Sequence, residues 1–212
     1  MDEKYTEMKT AHIGSPLEST HWEENIILAD ATWMDDFVFD VTVNFERMLE
    51  RPLPKASIDR WTDFLSLDGG LRPGNNKTQV ILLHQAGRHQ LNNWIPADIT
   101  NELDGMAFKD NLGEFSFFTL PVEEDLVDAG NMYAQCMEAL LSSPKVKRLM
   151  LVPRIDHYGH LVKAYMNNIQ WDGKDVTLFT TEPVAGFKCR QEILSYSIMA
   201  TLGIEAKELK QE

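Results

Sequence analysis

Asp30 and Asp156 are the two residues whose types and settings best suit joint chemistry. Asp30 follows the apolar run IILA, and Asp156 stands shortly after RLMLV, so each lies just past the carboxyl end of a predicted strand. If those strands are neighbours, the two carboxylates reach one crevice. Paired carboxylates suit a hard divalent ion: Mg takes oxygen ligands in near-octahedral geometry and keeps several waters, so two or three acids suffice. Mg or Mn held in this way would activate a water or orient a phosphate. Asp125 and Asp128 after the third predicted strand, Asp35 and Asp36 at the first helix start, and Glu182 after the fifth strand could complete the shell. Each acid also has a structural reading. Asp156 could cap its helix, Asp35 and Asp36 suit a helix N-terminus, and Asp30 could accept from loop amides.

Other groups are weaker candidates. His157 and His160 stand at i, i+3 and with Asp156 could form a transition-metal site or an ordinary surface cluster. His84, at the end of the second predicted strand, is the histidine best placed for the crevice. Gly69 and Gly74 have P-loop spacing, but Asn75 and Asn76 stand where the lysine is needed, and the loop leads into a strand rather than a helix. Cys136 and Cys189 share no recurring spacing and read as buried thiols in a reducing compartment. No serine sits in a G-x-S-x-G turn.

The elements that must position these groups alternate along the chain. Asn25–Arg51 opens with a strand ending at Asp30, and Thr32 with Asp35 suggests a capping box. The helix beyond it carries Phe37, Val38, Val41, Phe45, Met48 and Leu49 on one face. A short helix from Ser57 and a Gly/Pro/Asn-rich loop precede a strand at 80–84. Residues 91–103 read as partly helical from near Pro96, and turn signals at 104–105 and 111–113 bracket a hairpin leading into a strand at 114–122. A helix after Asp128, a strand at 145–152, a helix from Asp156, a turn at Asp172-Gly173, a strand at 175–180 and a helix over 187–202 closed by Gly203 follow. Five strand-helix alternations imply an α/β domain of three layers, α/β/α, with a mainly parallel five-stranded sheet in Rossmann-like order 3-2-1-4-5. That order sets the strand ending at Asp30 beside the one ending near Val152, and sites form at such switch points.

Composition bounds the rest. At 212 residues, 43% apolar and 25% charged, the chain suits one α/β domain at 25–205, preceded by a flexible polar arm at 1–24 and followed by a tail at 206–212. The net charge of −13, from 33 acids and 20 bases, disfavours nucleic-acid partners without excluding them. No apolar run approaches the roughly 20 residues of a membrane helix, and residues 1–20 show neither a basic n-region nor an apolar h-region, so a cytoplasmic protein without a membrane partner is expected. The partner is left unknown, and a homo-oligomer stays open.

Two resemblances accompany this reading. RLMLVPRIDHYGHLVKAY followed by WDGKDVTLFT resembles the strand-acid-helix-Gly-Lys-strand passage of the PIN-like and NYN-domain ribonucleases. The resemblance implies a divalent-metal phosphodiesterase in which Asp30 and Asp156 hold Mg or Mn and Asp125 or Asp128 adds charge. Pro153-Arg154-Ile155 departs from the small residues of that family's turn, and a second turn acid is missing, which points to a degraded site. LADATWMDDFVFDVTVNFERML and LDGGLRPGNN are similar to stretches of an uncharacterised family of gut Bacteroidales proteins. The expected function is therefore a ribonuclease-like phosphodiesterase or, alternatively, a non-catalytic binding or assembly module on the same fold.

Overall fold

A computed structural model describes residues 6–7, 21–123, 125–171 and 173–210. Its centre is β2 (Asn25–Asp30), in which all six residues are buried. β2 pairs in parallel with β4 (Asn76–Gln85) on one side and β8 (Arg148–Val152) on the other. Beyond β4 lies β7 (Gly113–Val122), also parallel, and beyond β8 lies β9 (Asp175–Thr180). Within the sheet these strands are ordered β7-β4-β2-β8-β9.

The sheet is wider than five strands, and it is mixed. β6 (Met106–Lys109) pairs antiparallel with β7, and β1 (Thr6–Glu7) antiparallel with β6. At the other edge β10 (Arg190–Ile193) runs parallel to β9. Among the described residues the sheet has eight strands in the order β1-β6-β7-β4-β2-β8-β9-β10. β3 (Ala56–Ser57) and β5 (Trp94–Ile95) form a separate two-stranded parallel ladder.

Alternation along the strands feeds two cores, because successive side chains of a strand leave opposite faces. Ile27 and Ala29 of β2, Val80 and Leu82 of β4, and Met150 and Val152 of β8 join one cluster with α1 (Ala31–Leu49), α2 (Ile58–Asp68) and α5 (Leu194–Thr201). Ile26, Leu28, Ile81, Leu83, Leu149 and Leu151 join the other, with α3 (Ala129–Ser142) and α4 (Ile155–Asn168). The apolar runs of β2, β4 and β8 are continuous because both faces of each strand are covered. No helix among the described residues is long and apolar enough to cross a membrane.

Several local expectations change. α1 starts at Ala31 with Asp30 as its cap, not at Thr32; the Thr32 hydroxyl instead accepts from the Gln85 amide at 3.1 Å. Met48 is exposed and Met34 takes the buried place. The helix expected over 187–202 divides into β10 and the shorter α5, since β9 leaves an open edge whose amides and carbonyls a strand can satisfy. Residues 91–103 carry β5 and a π-helical turn at Ile99–Leu103, with Leu91, Trp94, Ile99 and Leu103 all buried. Most of the arm, Asp172 of the expected turn and the last two residues lie outside the described residues. Trp22, assigned to the arm, is buried in the core.

Candidate functional site

The carboxyl ends of β2, β4 and β7 and the first turns of α1, α3 and α4 surround a cavity of about 360 Å³. Parallel strands place all these ends at one edge of the sheet, and the chain leaves β2 toward β4 but returns later to β8, which opens a crevice between the departing connections. Asp30, Thr32, Trp33 and Asp36 line it from β2 and α1, Leu83, His84 and Gln85 from β4, and Val122 from β7. Asp128, Ala129 and Gly130 contribute from the start of α3, and Arg154, His157 and Tyr158 from the start of α4.

Asp30 is held at both carboxylate oxygens. Its Oδ1 accepts from the Trp33 amide at 3.0 Å, which caps α1, and its Oδ2 accepts from the Tyr158 hydroxyl at 2.8 Å. The Tyr158 oxygen in turn accepts from the Arg154 amide at 3.0 Å. Burial raises the Asp30 carboxyl above the ordinary aspartate value, although both hydrogen bonds and the nearby Arg154 pull the other way. Tyr158 and Tyr133 are also pushed up by burial, with the Asp30 charge adding to it. Tyr133 donates to the Leu28 carbonyl at 2.8 Å and packs its ring 5.5 Å from that of Tyr158. Beneath this pair Gly130 admits no side chain, since a Cβ there would lie 2.6 Å from the Tyr158 Cβ.

His84 is buried with Nδ1 2.8 Å from the Gln85 carbonyl, an arrangement that puts a proton on Nδ1. Burial lowers its pKa below the ordinary histidine value, so the ring is held toward its neutral form. The two other acids of the wall are engaged as well. Asp128 caps α3 by accepting from the Asn131 amide at 3.0 Å and from the Asn131 side-chain amide. Asp36 receives the Arg88 guanidinium at 2.6 Å.

The predicted acids do not gather as one set. Asp30 and Asp128 share the cavity wall, but Asp156 and Asp125 are exposed and are not among its lining residues. Asp156 lies with its Oδ2 3.7 Å from the Arg154 Nε. In α4, Tyr158 turns toward Asp30 instead, at a kink where its own backbone leaves the helical range. Glu182, His157 and His160 are exposed, and His157 alone of these three reaches the cavity wall. Among the described residues no group of three or more His, Cys, Asp or Glu side chains is arranged to hold a metal ion. The thiols of Cys136 and Cys189 are pushed up by burial to about 12 and about 11, which keeps them protonated and poorly nucleophilic.

Sequence reasoning missed Tyr158, Tyr133 and Arg88. A tyrosine in an amphipathic helix reads as core, and the hydroxyl of Tyr158 gains its role through a residue 128 positions away. Arg88 sits in a loop and reaches both Asp36 and the buried Asp35, the latter at 3.1 Å. Asp35 also accepts from the amides of Asn92 and Asn93 at 3.2 and 2.9 Å, so it fastens the loop after β4 to α1.

Neither the curated proteins nor the solved structures provide a match for this chain. They therefore add no support to a PIN-like or NYN likeness. A family model does match, over residues 19–209, which takes in every element from β2 to α5. The chain belongs to DUF6621, a family of unknown function.

Proposed function

We propose that the chain is a binding module for a small polar molecule, built on a three-layer α/β/α frame whose central strands follow the order 3-2-1-4-5, with its ligand in the cavity beside Asp30. The observation that carries this reading is the cavity itself: about 360 Å³, at the switch point of a parallel sheet, with apolar Leu83, Val122 and Ala129 interleaved with polar groups. That size falls at the small end of the range of roughly 300–1,000 Å³ for ligand pockets. It suits a metabolite rather than a polymer. Binding is favoured over metal-assisted hydrolysis because the acids of the wall already accept from Trp33, Tyr158, Asn131 and Arg88.

A thermal-shift panel of amino acids, dicarboxylates, sugar phosphates and mononucleotides tests the reading. At least one compound should raise the unfolding midpoint of the native chain and leave Ala129→Phe, whose ring fills the cavity, unchanged. A panel without any such compound would count against a small-molecule site.

One observation favours a second reading: Asp30, Asp36 and Asp128 line the same cavity. In the phosphodiesterase implied by the PIN-like resemblance, Asp30 and Asp128 would be the first ligands of Mg or Mn, with Asp156 or Asp125 drawn in from solvent. Stabilisation by Mn that disappears in Asp30→Asn would favour this reading over the first.

A further inference from the structure

We infer that the ligand of this cavity carries an oxyanion, a carboxylate or a phosphate, received by Arg154; the inference rests on the reading of the cavity as a ligand site. Each carboxylate of the wall has a donor from the protein: Asp30 from Trp33 and Tyr158, Asp36 from Arg88, Asp128 from Asn131. The cationic side differs. Arg154 also lines the cavity, yet its Nε is shielded from solvent and has no hydrogen-bond acceptor. Asp156 is near enough for charge attraction at 3.7 Å but beyond hydrogen-bond length. A guanidinium presents five N–H donors in a planar fork that matches a carboxylate or phosphate edge, and a shielded donor without an acceptor costs free energy until one arrives.

The helix ends around the cavity differ in their caps. α1 and α3 begin at aspartate caps, which cancel the positive end of each helix with a negative charge. α4 begins at Arg154 itself, without any side-chain cap. Asp156 in its first turn and the non-helical backbone at Tyr158 limit the positive field of that end, so the guanidinium itself carries the attraction. His157, one turn into α4 on the same wall, supplies a further ring nitrogen. A cationic ligand would share Asp30, Asp36 and Asp128 with donors already seated on them.

The test is an NMR titration of the full chain, following the arginine Nε–H signals with inorganic phosphate and, separately, with succinate. The Arg154 signal should move and saturate with at least one of them. The stronger of the two identifies a phosphate ester or a carboxylate as the source of the oxyanion. Arg154→Gln should weaken that binding about tenfold or more, the worth of a charge-assisted hydrogen bond. Asp156→Asn, which removes the competing carboxylate while leaving the cavity wall intact, should tighten it. An Arg154 signal unmoved by both probes, or equal binding by Arg154→Gln with its fold intact by circular dichroism, overturns the inference. A neutral or cationic compound that stabilises the native chain and Arg154→Gln alike, but not Ala129→Phe, overturns the oxyanion and keeps the cavity as a ligand site.

Discussion

Tyr158 donates its phenolic hydrogen to Asp30 Oδ2 at 2.8 Å, joining the first turn of α4 to the last residue of the central strand. Because the same oxygen accepts from the Arg154 amide, one hydroxyl closes a chain of hydrogen bonds from α4 through Asp30 to α1. Tyr158→Phe keeps the ring against Tyr133 and removes that chain. It should cost about 1–3 kcal/mol, the penalty for leaving buried polar groups unpaired, measured by urea unfolding. A loss under about 0.5 kcal/mol would mean that water replaces the hydroxyl without difficulty.

Asp30 also sets a pH dependence. Its folded carboxyl lies above the ordinary value, with burial the largest cause, so the folded state binds a proton more readily than the unfolded chain. Its contribution is therefore most favourable below the unfolded pKa and is lost as pH rises through the folded one. The stability of the native chain relative to Asp30→Asn should fall from about pH 4 toward neutrality. Parallel unfolding series for the two proteins check this, and a constant difference across that window would contradict it.

Gly130→Ala inverts the usual sign of a helix substitution. In an unconstrained helix alanine is better than glycine by about 1 kcal/mol. Here the new Cβ would stand 2.6 Å from the Tyr158 Cβ and 2.9 Å from its Cγ, forcing the starts of α3 and α4 apart. A loss of about 1–3 kcal/mol is expected from such overpacking. The effect should be non-additive with Tyr158→Phe in a double-mutant cycle, because both act on the same ring position. A stabilised Gly130→Ala protein would refute the close approach.

Asp35 and Asp36 are adjacent acids with different weights. Asp35 is 1% exposed and holds Arg88, two loop amides and the Asn93 side chain, whereas the Asp36 side chain is 57% exposed and pairs with Arg88. Asp35→Ala should cost about 2–3 kcal/mol, since several part-buried donors lose a buried acceptor. Asp36→Ala should cost about 1 kcal/mol or less, as solvent-exposed ion pairs do. Chemical denaturation of the two variants ranks them, and a reversed order would contradict the loop-fastening role of Asp35.

The parts of the molecule legible in the sequence are those with a local cause. Asn25–Asp30 reads as a buried strand because its apolar run is unbroken, and α1 reads as a helix because its apolar residues recur at helical spacing. The cap of α1 was less legible: Thr32 and Asp35 satisfy the capping-box pattern, but Asp30 makes the bond to the Trp33 amide. The 187–202 stretch is a case of tertiary override, in which RQEI becomes an edge strand because β9 offers it a partner. At the cavity, the positions of Asp30 and His84 followed from strand ends. Asp156 did not reach that wall, because α4 kinks at Tyr158, which turns inward, and Asp156 is left in solvent. No spacing rule reports the phase of a helix that follows a two-residue connection.

The bond from Tyr158 to Asp30 has a bearing on folding as well as on the cavity. Residues from the second strand and from the fourth helix, 128 positions apart, must both be in place before the walls enclose any volume. Loop closure over such a span is rewarded only after most of the chain has condensed. The cavity is therefore a late product of folding, and a fragment ending before β8 would carry Asp30, His84 and Asp128 but no pocket. Occupancy should stabilise the whole domain as a unit, through the mass-action coupling of a ligand to the native state, rather than one element of it.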